Sequence, residues 1–182
     1  MNLSDKLVKS SHPLLTTELE PFDFENPPVD PKELADHLIE VMDKHNGIGL
    51  SANQLGLPYR VFVMRTEPRL VCFNPVITFE SEEQSVLEEG CLTYPSLYVR
   101  IKRSSWIRSK FYDVNGELQT QKFNGITARC FQHEVDHLNG IVYLNRASKI
   151  HLERAKRNLK LLKRKQKRMS NDPMIRMSED VV

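Results

Sequence analysis

The sequence predicts an α+β fold, with mostly antiparallel sheets packed around a central helix that carries an H-E-x-x-H motif. An N-terminal helix precedes the sheets and a basic C-terminal helix follows them. Three observations predict this. A helical apolar period with its own cap and stop occupies residues 30–47, and short β-prone runs with a hairpin signal fill residues 59–123. The helical period then returns near 126 and again near 147. Helix, strands, helix, helix in that order suits an antiparallel sheet better than alternating βαβ units.

Residues 1–29 read as irregular, because Pro13, Pro21, Pro27 and Pro28 interrupt any long element. Asp30 can cap the first helix, Pro31 suits its first turn and Glu33 sits three residues after the cap. Leu34, Leu38, Ile39, Val41 and Met42 form its apolar stripe, and Asn46-Gly47 is its stop signal. The strand candidates are "YRVFVM", "LVCFNPVITF", "LYVRIKR" and "SWIRSKFYDV". The last leads into Asn115-Gly116, a strong hairpin signal, so "ELQTQKF" reads as the returning strand. A second helix is expected around Ile126–Leu138, ending near Gly140. A third runs from about Ala147 to Arg168, with Leu152, Ala155, Leu159 and Leu162 as one stripe and Lys/Arg on its other faces. Residues 169–182 carry little apolar content and read as a frayed tail, which leaves a single domain over 1–168.

The 182 residues suffice for one full core, and 40% hydrophobic with 27% charged is an ordinary globular balance. No apolar run approaches the roughly 20 residues that span a bilayer. The first residues, "MNLSDKLVKSSHPLL", lack the apolar core and cleavage site of a signal peptide. A cytoplasmic protein with no membrane partner is expected. Three cysteines (Cys72, Cys91 and Cys130) without regular spacing do not make a disulfide framework; reduced thiols suit a cytosol and are available to metals. The net charge of +2 conceals an asymmetry: Arg146–Arg168 holds eleven Lys/Arg and one acid, leaving 15 basic and 23 acidic residues elsewhere. The basic segment reads as a separate functional surface.

The chemistry concentrates in "FQHEVDHLNG", residues 131–140. His133 and His137 are four apart, so a helix puts both imidazoles on one face, where they can bind one divalent metal. Glu134, one step round, is badly placed as a co-ligand to that pair but can reach a water on the metal, the position of a general base. A third ligand is needed. The continuation H-x-x-G-x-x-H fails because residue 143 is Tyr; Glu153 comes too early for a later glutamate ligand, and Glu179 lies in the tail. The cysteines remain. Cys91, in the polar stretch "LEEGCLTYP" between strands, can approach the pair from the opposite side, whereas Cys130 is cramped on the same helix and reads as a small buried hydrophobe.

With these residues in view, the chain resembles the peptide deformylase family, marked by G-x-G-L-A-A-x-Q, E-G-C-L-S and Q-H-E-x-D-H in that order. Here they stand as "GIGLSANQ" (Gly47–Gln54), "EGCLT" (Glu89–Thr93) and "QHEVDH" (Gln132–His137), within a resemblance covering roughly Pro13–Leu162. Ser51 replaces an alanine and Thr93 a serine. Both lie outside the ligand set and are expected to tune substrate choice more than chemistry. The resemblance implies that Cys91, His133 and His137 hold one metal, natively Fe(II), with Zn, Ni or Co able to take its place. It implies removal of the formyl group from formyl-methionyl nascent peptides. Glu134 then acts as base and afterwards acid, while the Gln54 amide and the Leu92 backbone N–H stabilise the developing oxyanion.

The substrate-binding candidates follow from the same resemblance. Gly47 and Gly49 let backbone approach a peptide that pairs like an added strand. Glu89 and Gly90 border the peptide. Ile48, Leu87, Ile126 and Cys130 are wall candidates for the methionine slot. Glu89 and Arg103 are expected to pair and hold the Cys91 loop, and Asp136 to orient a neighbour. Basic helix 147–168 suits ribosomal RNA, and the chain is expected to work as a monomer. The rivals are a zincin-type metallopeptidase, which has no use for Cys91, and a non-catalytic ribosome- or RNA-binding protein, which has no use for a metal.

Overall fold

The computed structural model describes residues 3–170. Helix α1 spans Pro31–Lys44. The Asp30 carboxylate caps it by accepting the Glu33 N–H at 2.9 Å, and Leu34, Ala35, Leu38, Val41 and Met42 are its buried stripe. Asn46 takes a left-handed backbone (φ 53°) and turns the chain into the first strand.

Seven strands follow among the described residues: β1 (Gly49–Ser51), β2 (Val61–Met64), β3 (Leu70–Glu80), β4 (Gln84–Cys91), β5 (Tyr94–Ser104), β6 (Trp106–Tyr112) and β7 (Leu118–Asn124). Five form one sheet in the order β1-β2-β3-β6-β7, and β4 and β5 form a separate hairpin. All the pairings are antiparallel. Asp113–Glu117 turns β6 into β7, with Gly116 in the left-handed region (φ 75°).

Two strands differ from the sequence reading. Residues 84–91 are not a loop between strands: they form β4, and Cys91 is its last residue. Along β4 only Glu89 is buried, so the apolar alternation that marks a strand is missing. β1 is only three residues long and buried throughout, so it shows no period of any kind.

Helix α2 (Gly125–Leu138) packs against β1, β2, β3, β6 and β7 on one side and β5 on the other. Its residues Ala128–Leu138 are all buried. Phe131 is its apolar anchor, meeting Phe62 edge-on at 5.0 Å and stacking on Phe123 at 5.1 Å. A second core lies between α1 and strands β1–β3.

Helix α3 (Lys149–Ser170) starts two residues later than expected, because Ala147 closes the 3-10 turn Tyr143–Arg146. It docks on β5 through Leu152, Ala155 and Leu159. Leu162, expected in that stripe, is 49% exposed, because the helix runs past the edge of the body. Residues 160–169 are all exposed. Met169 and Ser170 continue the helix, so the expected tail does not begin at 169, and residues 171–182 lie outside the described residues. No described helix is long and apolar enough to cross a membrane.

Candidate metal centre and active site

A helix sealed on every side should be apolar, but the centre of α2 is not. Arg129, Gln132, His133, Glu134, Asp136 and His137 are each less than a tenth exposed. Burying so many polar groups is costly unless they find partners, and among the described residues His137 Nδ1 and Arg129 Nε have none; such layers concentrate at working sites.

The first partner arrives from β4. Cys91 Sγ lies 3.2 Å from His137 Nε2. Cys91, His133 and His137 each offer a donor atom within 4.8 Å of the other two, the one such group of metal-ligating side chains among the described residues. Bonds of about 2.0–2.3 Å to a tetrahedral ion set donors roughly 3.5 Å apart, so one thiolate and two imidazoles at this spacing fit a divalent ion with a fourth position open.

The imidazoles are prepared for that role. The Glu89 carboxylate only accepts, so His133 Nδ1–H donates to Glu89 Oε2 (3.1 Å) and Nε2 is left for an ion. Burial holds His137 well below the usual histidine range, helped by the charges of His133 and Arg103, so it is neutral. Burial also pulls His133 down, but hydrogen bonds with Cys91 and Glu89 and the charge of Glu134 outweigh it and hold its pKa at about 10. Ligands to a metal must be deprotonated, so an ion bound at His133 Nε2 would displace a proton from it. Cys130 lies outside the donor group. Its thiol donates to the Ile48 carbonyl (3.4 Å), and burial, reinforced by Glu134, keeps it protonated.

Glu134 lies beside the donors and is 3% exposed. Burial raises its pKa above the ordinary 4.5, against the lowering effects of the His133 charge and a hydrogen bond from Ser51. A raised carboxyl suits proton transfer near neutral pH. Ser51 Oγ donates to Glu134 Oε2 at 2.7 Å. Gly49 leaves room for that carboxylate: a Cβ at Gly49 would stand 2.5 Å from Glu134 Oε1 and 2.7 Å from Cys130 Sγ.

Gln54 is buried and its amide orientation is fixed. Its Oε1 accepts the Ser51 N–H (3.0 Å), which turns Nε2 toward Cys91 Sγ (3.3 Å) and Thr93 Oγ1 (3.1 Å). Ser51 and Thr93, the two departures from the motifs, therefore both touch the machinery. Substrate tuning was the expectation for them; the contacts of Ser51 concern chemistry.

Charged residues stand behind the donors. Arg103 grips Glu89 with two parallel bonds, Nε to Oε1 at 2.7 Å and Nη2 to Oε2 at 2.9 Å, and its Nη1 reaches Asp136 Oδ2 at 2.8 Å. Arg146 closes on Asp136 Oδ1 at 2.6 Å. Arg129 adds a further bond to Glu89 and ties β4 to β5 through Ser85 O and Ile101 O. The sequence reading missed Arg129, although it stands four residues before His133 and so shares its helical face.

A cleft of about 690 Å³ opens over Cys91 and His133, while His137 lies outside its lining. Gly47, Ile48 and Gly49 lie along one side, Glu89, Gly90 and Leu92 along the other, and Ile126, Cys130 and Glu134 line it from α2. Ile48 and Ile126, both more than half exposed, give the cleft apolar walls. Leu87 is not part of the lining. It shares Glu89's face of β4 but lies one step farther from Cys91. Arg103 and Asp136 also stay outside the cleft, supporting it from behind. Tyr98, unforeseen, forms a wall: its ring lies so close over Gly90 that a Cβ there would meet it at 2.7 Å. Its signal was available, since buried Leu97, Val99 and Ile101 alternate with it and turn Tyr98 outward.

The sequence model of the family described as polypeptide deformylase matches residues 4–153. A peptide deformylase of Wolbachia pipientis (subsp. Culex pipiens) is 38% identical over 147 residues, which cover 73% of this chain and 82% of that protein. A peptide deformylase of Synechococcus elongatus, solved in complex with actinonin, superposes with a TM-score of 0.77 at 28% identity, over 82% of this chain and 84% of that one. A Met-Ala-Ser-bound class I type b peptide deformylase from Acinetobacter baumannii gives 0.72 at 31% identity, over 78% and 96%.

Proposed function

The chain belongs to the polypeptide deformylase family, and from that premise we propose that Cys91, His133, His137, Glu134 and Gln54 carry its reaction, the hydrolysis of the N-formyl group from formyl-methionyl nascent peptides. The observation that carries the reading is the convergence of one thiol from β4 with two imidazoles from α2 beside a buried carboxylate. Cys91 and the two Nε2 atoms would hold the ion. When bound, a divalent ion supplies a Lewis acid that lowers the pKa of a coordinated water and polarises the formyl oxygen. Fe(II) is the native ion we propose, and Zn, Ni and Co suit the same donors.

The remaining work falls to side chains. Glu134 accepts a proton from the attacking water and returns it to the amine nitrogen as the C–N bond breaks. Gln54 Nε2 and the Leu92 N–H donate to the formyl oxygen as charge develops there; losing one such donor typically costs on the order of 10²–10³ in rate. Glu89 holds His133 in the required tautomer, and Arg103, itself held by Asp136, holds Glu89.

Both sides of the cleft are sheet edges. Among the described residues β1 has a neighbour only at β2, and β4 only at β5. An extended peptide can pair with either edge while its first side chain enters between Ile48, Ile126 and Cys130. Met-Ala-Ser, bound in the Acinetobacter baumannii structure, is a peptide that begins with methionine. We take residues 1–168 as one catalytic domain working as a monomer. Its unpaired cysteines suit the cytoplasm, and the basic face of α3 suits a ribosomal contact.

The test is turnover of a formyl-Met peptide with bound metal measured alongside. Cys91→Ala should lose metal and activity. Glu134→Ala should keep metal and lose turnover, and Cys130→Ala should keep both. Metal loss confined to Cys130→Ala would overturn the ligand assignment. Cleavage of internal peptide bonds independent of Cys91 would favour a zincin-type peptidase.

A further inference from the structure

We propose that the face of the five-stranded sheet turned away from α2, centred on Trp106, binds single-stranded RNA. The residues of β6 alternate. Ile107, Ser109 and Phe111 are buried, the first and last of them in the core with Phe131, while Trp106, Arg108 and Lys110 take the opposite face. Register carries that face across the sheet, since Phe79 of β3 and Lys122 of β7 both stand beside Arg108. Phe79, 46% exposed, stacks on Trp106 with ring centres 4.9 Å apart. Lys122 Nζ lies 4.1 Å from the centre of a Trp106 ring, and the Arg108 guanidinium lies 5.8 Å from both aromatic side chains. Glu80, next to Phe79, accepts a bond from Ser104 Oγ instead. Among the described residues Arg108, Lys110 and Lys122 form no ion pair.

The charge on this face is therefore held but not neutralised. A ring attracts a cation through its quadrupole and leaves the charge intact. A side chain already laid over a ring loses less freedom when an anion arrives. Charge complementarity calls for a polyanion. Arg108 and Lys110 stand two residues apart along one strand, about 6.8 Å, close to the repeat of an extended phosphodiester chain. The rings select among polyanions. Bases stack on aromatic side chains whatever their sequence, and they are free to do so in a single strand. An acidic peptide would meet the cations and leave Phe79 uncovered. The choice of RNA over DNA rests on the nascent-peptide substrate proposed above, because such peptides emerge beside ribosomal RNA; the surface itself does not rest on it. The face is also separate from α3, which docks on β5 in the other sheet.

Trp106 is the one tryptophan of the chain, so its fluorescence reads this face. The test uses the full chain at low salt with Lys156, Arg157, Lys163 and Arg164 changed to glutamine, which removes the contribution of α3. An unstructured RNA of about 12 nucleotides should quench Trp106. Three phosphate contacts predict that the logarithm of the binding constant falls against that of salt with a slope of about −2. Arg108→Gln with Lys122→Gln should weaken binding roughly 10-fold and bring the slope to about −0.7, with formyl-Met turnover and the urea midpoint unchanged. Followed by anisotropy of labelled RNA, Trp106→Ala should weaken binding roughly 10-fold, and Trp106→Phe should restore most of it. Absence of quenching, equal quenching by polyglutamate, or tighter binding of DNA of the same sequence would overturn the proposal. Quenching by RNA in a chain that does not turn over a formyl-Met peptide would remove the catalytic reading and leave this surface standing.

Discussion

At the residue scale, Glu89 repays the closest look. Burial alone would raise its pKa, but hydrogen bonds from His133 and Arg103, and the charges on both, win and bring it from an ordinary 4.5 down to about 2. The folded state therefore binds fewer protons than the unfolded one between those two values. The stability this gives is complete above about pH 4.5 and is lost as pH falls toward 2. Glu89→Gln should flatten that acid limb, read as urea midpoints at stepped pH on ion-free wild type and variant. An unaltered limb would show that the Arg103 and His133 contacts do not hold the carboxylate ionised. His133, Glu134 and His137 were legible in the sequence because spacing on a helix is local, whereas Cys91, 46 positions from His137, was assigned through the resemblance of its E-G-C-L motif. Ser51 and Arg129 were harder to see. Their importance depends on a contact with a residue 83 positions away in one case and 40 in the other.

At the scale of elements, α2 is clamped by its aromatic centre. Phe131 is fully buried between Phe62 and Phe123, so Phe131→Ala should destabilise the protein by about 3–5 kcal/mol, measured by urea unfolding. A cost below about 1 kcal/mol would mean that the surrounding rings close the void. The same elements show what sequence could reveal. α1 was readable from end to end, since Asp30, Pro31 and Asn46 mark its limits through local backbone chemistry. The β6–β7 hairpin was readable from Asn115-Gly116 in the same way. β4 was not, because its one buried side chain is Glu89, which carries ion pairs where an apolar side chain would normally lie. β1 was hidden by its brevity.

At the scale of the whole molecule, charge and chemistry occupy different parts. α3 docks by a short stripe and then leaves the body, with Lys163 and Arg164 on its exposed turns. Changing Lys156, Arg157, Lys163 and Arg164 to glutamine should weaken co-sedimentation with ribosomes at low salt while peptide turnover stays unchanged. Undiminished binding would remove the ribosomal contact from the account. The fold's centre has a different implication. Arg103, Arg129, Glu89 and Asp136 form a buried ionic layer, and layers of that kind can often be exchanged for hydrocarbon with a gain of roughly 1–4 kcal/mol. A lineage selected for heat tolerance alone would drift toward methyl groups in that layer. It would arrive at a sturdier protein that no longer did anything.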